Sequence, residues 1–331
     1  SFFLAMQIMQ WVKQILNGLK VNKTLTILEF GSGDASLIKG IIDYFFKNEK
    51  NILQKVSFVL IEINKGMIDK QRDNLSGFID KGVDISWSDF NDLGDQSING
   101  IIIAHEVLDA FPVERIQYLN GHIYRQGVSF IEEKGYLTTQ SIPLNEEIKE
   151  YLIYLKETIG VCLPPQDAPE GWATELHINN SGWLKRVYEK FNKGILLIID
   201  YAIESSKYYS KNKFDGTLLS YRAQVATSDF LQDPGDSDIT AHLCSDVLIN
   251  QAKSKGFKFL GLIKQGEALL SLGLSQKLYE IQDSYQNDLS KALHKREALL
   301  RLVDPVCLGD LKWFIFQKTS GTKKFDSKCI C

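Results

Sequence analysis

The stretch Leu25-Thr-Ile-Leu-Glu-Phe-Gly-Ser-Gly-Asp34 decides how this chain is read. A short apolar run ends in an acid, Glu29, and a Gly31-Ser32-Gly33 turn then opens a helix. The first glycine allows a tight reversal, and the second lets a ligand approach the backbone closely. A nucleotide-like ligand is therefore expected at the C-terminal end of this strand. A dinucleotide fingerprint would carry a third small residue, usually glycine, three positions after the second. Ser36 stands there instead. Asp34 lies in the first turn of the helix, where it would repel a pyrophosphate. A cofactor with little negative charge at this point fits better. S-adenosylmethionine, with a cationic sulfonium and no phosphate, meets that condition.

Outward from this turn the first half alternates strand and helix. Strands are expected at 25–30, 56–61, 83–87 and 100–104, with helices at 35–46 and 65–75 between them. Short apolar runs separated by helices imply a parallel sheet covered on both faces. From Arg115 to Gln140 the pattern changes to hairpins, with turns at Asn120-Gly121 and Lys134-Gly135. A helix over 145–159 and a proline-rich loop over 162–171 follow. The sheet pattern returns with a helix near 181–191 and the wholly apolar strand Gly194–Asp200. Helices are expected near 244–253 and 276–302, and segments 257–263 and 311–317 read as a terminal antiparallel pair. The fold class is thus α/β, Rossmann-like, with a mostly parallel sheet. One such domain over 1–114 and 181–331 is interrupted by an inserted hairpin and helical subdomain at 115–180.

Composition narrows the function classes. With 331 residues and a formal net charge of -3, the chain shows no global nucleic-acid footprint. No apolar run reaches the roughly 18 to 20 residues needed to span a bilayer. The opening segment Ser1–Trp11 lacks a basic leader and has the spacing of an amphipathic helix. The absence of an initial Met suggests a longer natural chain. Five cysteines without framework or zinc-ribbon spacing suggest a reducing compartment, and a metal site in the Cys329-Ile-Cys331 tail is disfavoured. There is no Gly-x-Ser-x-Gly elbow and no Walker A sequence, which argues against a serine nucleophile and against phosphoryl transfer.

Acids follow several of the expected strands. Glu62, after the second, can accept both hydroxyls of a ribose. Asp89, after the third, can accept from an adenine amino group, with Phe90 packing on the ring. After the fourth comes Ala104-His-Glu-Val-Leu-Asp-Ala-Phe-Pro112, where Glu106 and Asp109 stand three residues apart. Were Val107–Phe111 a helical turn, the two would project as neighbours. Paired carboxylates suit acid–base work or a cation, including bidentate capture of a guanidinium. His105 is a candidate base but reads better as a packed residue. Asp233, Asp236 and Asp238 lie in a turn-rich stretch that lacks EF-hand spacing, and reads as a solvated or substrate-lining loop.

Several blocks, in order, resemble the MidA family of methyltransferase-fold proteins related to a mitochondrial complex I assembly factor. Glu29-Phe-Gly-Ser-Gly33 is similar to that family's Glu-Leu-Gly-Pro-Gly. Ile61-Glu-Ile-Asn-Lys-Gly-Met-Ile-Asp-Lys-Gln71 looks like its second-strand acid and following helix. His105-Glu-Val-Leu-Asp-Ala-Phe-Pro-Val113, the most specific block, looks like Asn-Glu-Phe-x-Asp-Ala-Leu-Pro-Val. Leu197-Ile-Ile-Asp-Tyr201, Gly216-Thr-Leu218, Asp233-Pro-Gly with Asp238-Ile-Thr-Ala-His242, and Leu302–Lys312 also match. Ser32, His105, Ala202 and Trp313 depart from the pattern, and the family's N-terminal Gly-Asp-Phe-x-Thr motif is absent from this sequence.

The resemblance implies a class I methyltransferase fold and S-adenosyl-L-methionine as cofactor, held by Glu29, Gly31, Ser32, Gly33, Glu62 and Asp89. It implies methylation of a protein arginine, in better-known members on a respiratory complex I subunit, with Glu106 and Asp109 holding the guanidinium. No metal, nucleic acid or membrane span is expected, and the oligomeric state stays open. The compartment would be bacterial cytoplasm or mitochondrial matrix. Two other readings remain: a non-catalytic assembly factor that keeps the fold, and a nicotinamide-dependent oxidoreductase, against which Asp34 and Ser36 argue.

Overall fold

β1 (Leu25–Phe30) is an inner strand of a seven-stranded sheet, with every residue but Thr26 buried. This computed structural model describes residues 1–17, 24–133, 135–223, 225–232, 234–284 and 289–319. Lys134, Asp233 and the tail cysteines Cys329 and Cys331 lie outside the described residues. The other strands are β2 (Val56–Ile61), β3 (Ile85–Trp87), β4 (Ile98–His105), β5 (Phe191–Asp200), β6 (Lys258–Lys264) and β7 (Lys312–Lys318). Their order is β6-β7-β5-β4-β1-β2-β3. β1 pairs in parallel with β2 and β4, β2 with β3, and β4 with β5. β6 and β7 run antiparallel to each other, the terminal pair expected from their apolar patterns. The strand sequence therefore reverses direction of growth at β1 and β4, the position at which open α/β sheets bind ligands.

Two glycines draw the central strands together. A Cβ on Gly100 of β4 would come within 2.0 Å of the Thr26 carbonyl oxygen on β1. A Cβ on Gly194 of β5 would come within 1.8 Å of the Gly100 carbonyl oxygen. Their φ angles are +146° and +143°, so no other residue fits either the space or the backbone.

Three helices flank this sheet in the sequence: α1 (Phe2–Asn17), α2 (Ser36–Asn48) and α3 (Lys65–Ile79). α1 buries Leu4, Ile8, Trp11, Val12 and Ile15, the i, i+4, i+7 stripe anticipated for an amphipathic helix. It packs on α2, which buries Ile38, Ile41, Ile42 and Phe45. Each such side chain contributes roughly 1.5–3 kcal/mol on leaving water. A charge at Ile41 would forfeit that and strand itself in the core. No helix among the described residues is long and apolar enough to cross a membrane.

The chain divides into two compact units. The first holds this sheet (residues 1–105, 186–199 and 256–331); the second comprises residues 106–185 and 200–255. In the second, strands Tyr136–Ile142, His122–Ile131, Glu114–Leu119 and Ala173–Leu176 form an antiparallel sheet in that order. Its core gathers Ile116, Ile148, Tyr151, Leu155, Leu176, Tyr208 and Val247. The helix Glu146–Tyr154 begins where the Asn145 side chain accepts from the Ile148 N–H at 2.9 Å.

Of the helix expected over 276–302, the described residues form Leu274–Ser284 and Leu289–Arg301, and 285–288 lie outside the described residues. Two other features differ from the sequence reading. The strand Ala173–Leu176 follows the proline-rich loop directly, and its buried Glu175 hid it from an apolar-run reading. Residues 107–111 form a turn, closed by Phe111 N–H to Leu108 O at 3.2 Å, and not a helix.

Candidate functional site

In the first unit, β1 delivers the chain into a turn of unusual backbone. Gly31, Gly33 and Ala35 have φ of 58°, 53° and 65°, all left-handed. Gly31 N–H still bonds the Ile61 carbonyl at 2.9 Å, so the turn stays joined to the end of β2. A Cβ on Gly33 would meet nothing within 4 Å; the turn borders open space. Asp34, one residue before the N-cap of α2, accepts from the Ser36 N–H at 2.9 Å. The Ser36 hydroxyl first, and that backbone bond second, hold the Asp34 carboxyl below the usual range. The helix N-terminus is thus already matched by an internal anion, which leaves less for a phosphate.

Glu29 and Ser32 lie beneath the turn, both buried. Burial lifts the Glu29 carboxyl to about 7, with the Ser32 hydroxyl offsetting part of the rise and Asp34 adding to it. Neither Glu29 Oε2 nor Ser32 Oγ meets the geometry of a full hydrogen bond. The hydroxyl is near enough to influence the charge without satisfying it. Two orphaned polar atoms under an open glycine turn are what a bound polar ligand would complete.

Glu62, at the end of β2, is fixed by its surroundings. Its Oε1 accepts from the Ile63 and Asn64 N–H groups at 2.9 and 3.0 Å. Its Oε2 accepts from Gln71 Nε2 at 3.2 Å. Gln71 is fully buried on α3 and also donates to the Gly33 carbonyl at 2.8 Å. Its own carbonyl accepts from Trp87 Nε1 at 2.8 Å. One amide therefore ties the glycine turn, the β2 acid and β3 together. Asn74 adds a bond to the Asp34 carbonyl at 2.8 Å. The residue after Glu62, Ile63, is 97% exposed, an apolar side chain presented beside the ribose candidate.

Asp89 is exposed and caps the short turn Phe90–Asp92 by accepting from Asn91 N–H at 2.7 Å. Phe90 does not present its ring as expected. It is buried against Phe30, with ring centroids 4.8 Å apart. His105 ends β4, half-buried and paired with Ile199.

In the second unit the acids after β4 meet a third one. Asp200 is buried, and its Oδ2 accepts from the Leu108 and Asp109 N–H groups at 3.1 and 3.2 Å. Those two bonds shape the 107–111 turn in place of a helical ladder. Glu106 is exposed and adopts φ 51°, a strained conformation for a residue with a side chain. Asp109 is buried; burial first and Glu106 second raise its carboxyl to about 6. Burial and then Asp109 push Asp200 up as well. Tyr201, whose hydroxyl is driven up to about 12 by burial and then by Glu106, stacks on His242 at 5.5 Å and 14°.

Below His242 lies a buried network that sequence reasoning missed. Thr217 Oγ1 accepts from the His242 N–H at 3.1 Å, and the His242 carbonyl lies 2.8 Å from His177 Nε2. Glu175 accepts from Thr217 N–H at 2.9 Å and from Tyr208 OH at 3.2 Å. Burial lowers the His177 imidazole to about 4, so it is neutral at ordinary pH. A Cβ on Gly216 would strike the Glu175 carboxylate at 2.2 Å, which explains why glycine precedes Thr217. The only signal in the sequence was the Gly216-Thr-Leu218 block itself.

Beside Asp109 opens a cleft of about 510 Å³, walled partly by Phe111, Phe230 and Ile239. The backbone near Ile239 is anchored there, since Ala241 N–H bonds the Asp109 carbonyl at 2.9 Å. Asp236 and Asp238 are both exposed; no cluster of three or more His, Cys, Asp or Glu suited to a metal ion occurs among the described residues.

The profile of a family described as "Putative S-adenosyl-L-methionine-dependent methyltransferase" matches residues 3–263. The chain belongs to this family. It is the MidA-like group whose sequence blocks this chain resembles, and its cofactor is S-adenosyl-L-methionine. A solved "likely methyl transferase" from Burkholderia thailandensis, bound to S-adenosyl-homocysteine, superimposes with a TM-score of 0.78. It is 24% identical over 97% of this chain and 78% of its own. A native crystal structure of an uncharacterized protein from the same organism gives the same TM-score and identity, covering 97% of this chain and 80% of its own. These two likenesses establish the class I methyltransferase fold. No curated protein matches the chain.

Proposed function

We propose that this MidA-like protein transfers a methyl group from S-adenosyl-L-methionine to an arginine of a protein acceptor. The observation that carries the acceptor assignment is the cluster of Glu106, Asp109 and Asp200 in the second unit. What acts on the Asp109 carboxyl is burial, the negative charge of Glu106, and backbone N–H groups. A site that crowds carboxylates in this way is stabilised by a cation. A guanidinium, planar and charged at all ordinary pH, matches two carboxylates by parallel N–H···O bonds.

The cofactor assignment fits the first unit. Glu62 would hold the ribose, Ile63 offers an apolar contact for the base, and Glu29 and Ser32 under Gly31 and Gly33 face the rest. Asp89 remains the candidate for the base's amino group. When bound, the cofactor supplies an electrophilic methyl group on a cationic sulfur. The protein's tasks are then to orient one guanidinium nitrogen and to receive its proton. Alignment of this kind can account for up to ~7–11 kcal/mol of a barrier. A carboxyl at about 6 is charged at neutral pH yet basic enough to accept a proton late in the reaction. The resemblance to the family suggests a respiratory complex I subunit as acceptor.

The test is steady-state kinetics of Asp109→Asn and Glu106→Gln with arginine-containing peptides. Loss of kcat by about 100-fold or more in either, with cofactor affinity retained, supports the assignment. Unchanged methyl transfer in both variants overturns it.

A further inference from the structure

We infer that the cleft beside Asp109 selects acceptors bearing an apolar side chain next to the target arginine. This rests on Asp109 holding the guanidinium, as proposed above. The cleft is about 510 Å³, within the range of sites that enclose a ligand, and larger than one side chain needs. Asp109 is one of its walls, so an arginine held there brings its neighbour into the same space.

The charges of the cleft decide what that neighbour is. Two arginines, Arg115 and Arg125, line it and could have suggested an acidic ligand. Both are already matched. Arg115 is buried; it donates to the Asp215 carboxylate, to the Asp215 carbonyl at 2.7 Å and to Gln126 Oε1 at 2.9 Å. Its Nε lies 3.3 Å from Glu175 Oε1, an ion pair without hydrogen-bond alignment. Its guanidinium also lies 5.0 Å from the Phe230 ring, which covers it. Arg125 makes a two-pronged pair with Glu114 at 2.6 and 2.8 Å. Neither cation is left to pay the desolvation of an incoming carboxylate. An acid entering here would lose its water and meet Asp109. An aliphatic or aromatic side chain would instead cover Phe111, Phe230 and Ile239.

The experiment compares three peptides of equal length, each with one arginine flanked on both sides by leucine, by serine or by aspartate. Methyl transfer is measured with wild type and with Ile239→Lys, a change at a residue 42% exposed and so tolerable to the fold. Wild type should rank leucine over serine over aspartate, with kcat/KM at least about 10-fold apart between the first two, mostly through KM. Ile239→Lys should erase the leucine preference and raise use of the aspartate peptide. Equal use of the leucine and serine peptides by wild type overturns this inference and leaves the arginine assignment standing. Methylation of none of them overturns the arginine assignment first, and this inference with it.

Discussion

Replacing Glu29 by Gln should make the cofactor-free protein more stable at alkaline pH and no more stable in acid. The Glu29 carboxyl is buried under the glycine turn and lifted from 4.5 to about 7, chiefly by desolvation. The unfolded chain therefore releases this proton near 4.5, while the folded protein keeps it until about 7. Between those values the folded state binds more protons, so stability falls as pH rises, and above about 7 the loss is complete. At 1.36 kcal/mol per tenfold change in proton affinity, the full loss is about 3 kcal/mol. Glutamine fills nearly the same volume and does not titrate. Urea unfolding of wild type and Glu29→Gln at pH 4.5 and pH 8.5 measures the difference. The variant's advantage should grow by about 2–3 kcal/mol between the two pH values. The same variant should bind S-adenosyl-L-methionine at least about 10-fold more weakly, because a buried anion facing a cationic ligand is lost. A stability difference that does not change with pH would refute the reasoning, since it would mean that Glu29 carries no buried charge.

Further outcomes follow from the other contacts. Gln71→Leu removes the amide shared by Gly33, Glu62 and Trp87; at about 1 kcal/mol net per hydrogen bond, cofactor affinity in calorimetry should drop ~10–100-fold. In the methyl-transfer assay, kcat/KM should fall as pH drops through about 6, because Asp109 takes up a proton there and no longer attracts a guanidinium; Asp109→Asn should remove that limb along with most of the activity. Gly216→Ala drives a methyl group into the Glu175 carboxylate at φ +66°, and should lower stability by about 2–4 kcal/mol in urea unfolding.

The frame was legible where local chemistry sufficed. Leu25–Phe30 and Val56–Ile61 appear with the bounds read from their apolar runs, because a buried parallel strand needs little beyond hydrophobicity. The glycine turn and Glu62 were visible because positive φ and a strand-end acid have few substitutes. What escaped was set by partners far away in sequence. Gln71 reads as an ordinary helix amide until Gly33, 38 residues away, accepts its proton. Whether the turn after Glu106 is helical stays open in the sequence, because Asp200, 92 residues on from Leu108, takes the N–H bonds that a helix would have used. Glu175 and Thr217 are 42 residues apart and announce themselves only through the glycine between Asp215 and Thr217. Phe90 was misread because its sequence position beside Asp89 says nothing of the direction of its ring, which packs on Phe30.

The most direct test of the central claim is the identity of the labelled residue after incubation with methyl-tritiated S-adenosyl-L-methionine and an arginine-containing peptide pool. Acid hydrolysis and amino-acid analysis should place the label in methylarginine, and Asp109→Asn should abolish it while cofactor binding persists. Label appearing in another residue, or in methylarginine to the same extent with Asp109→Asn, would contradict the account.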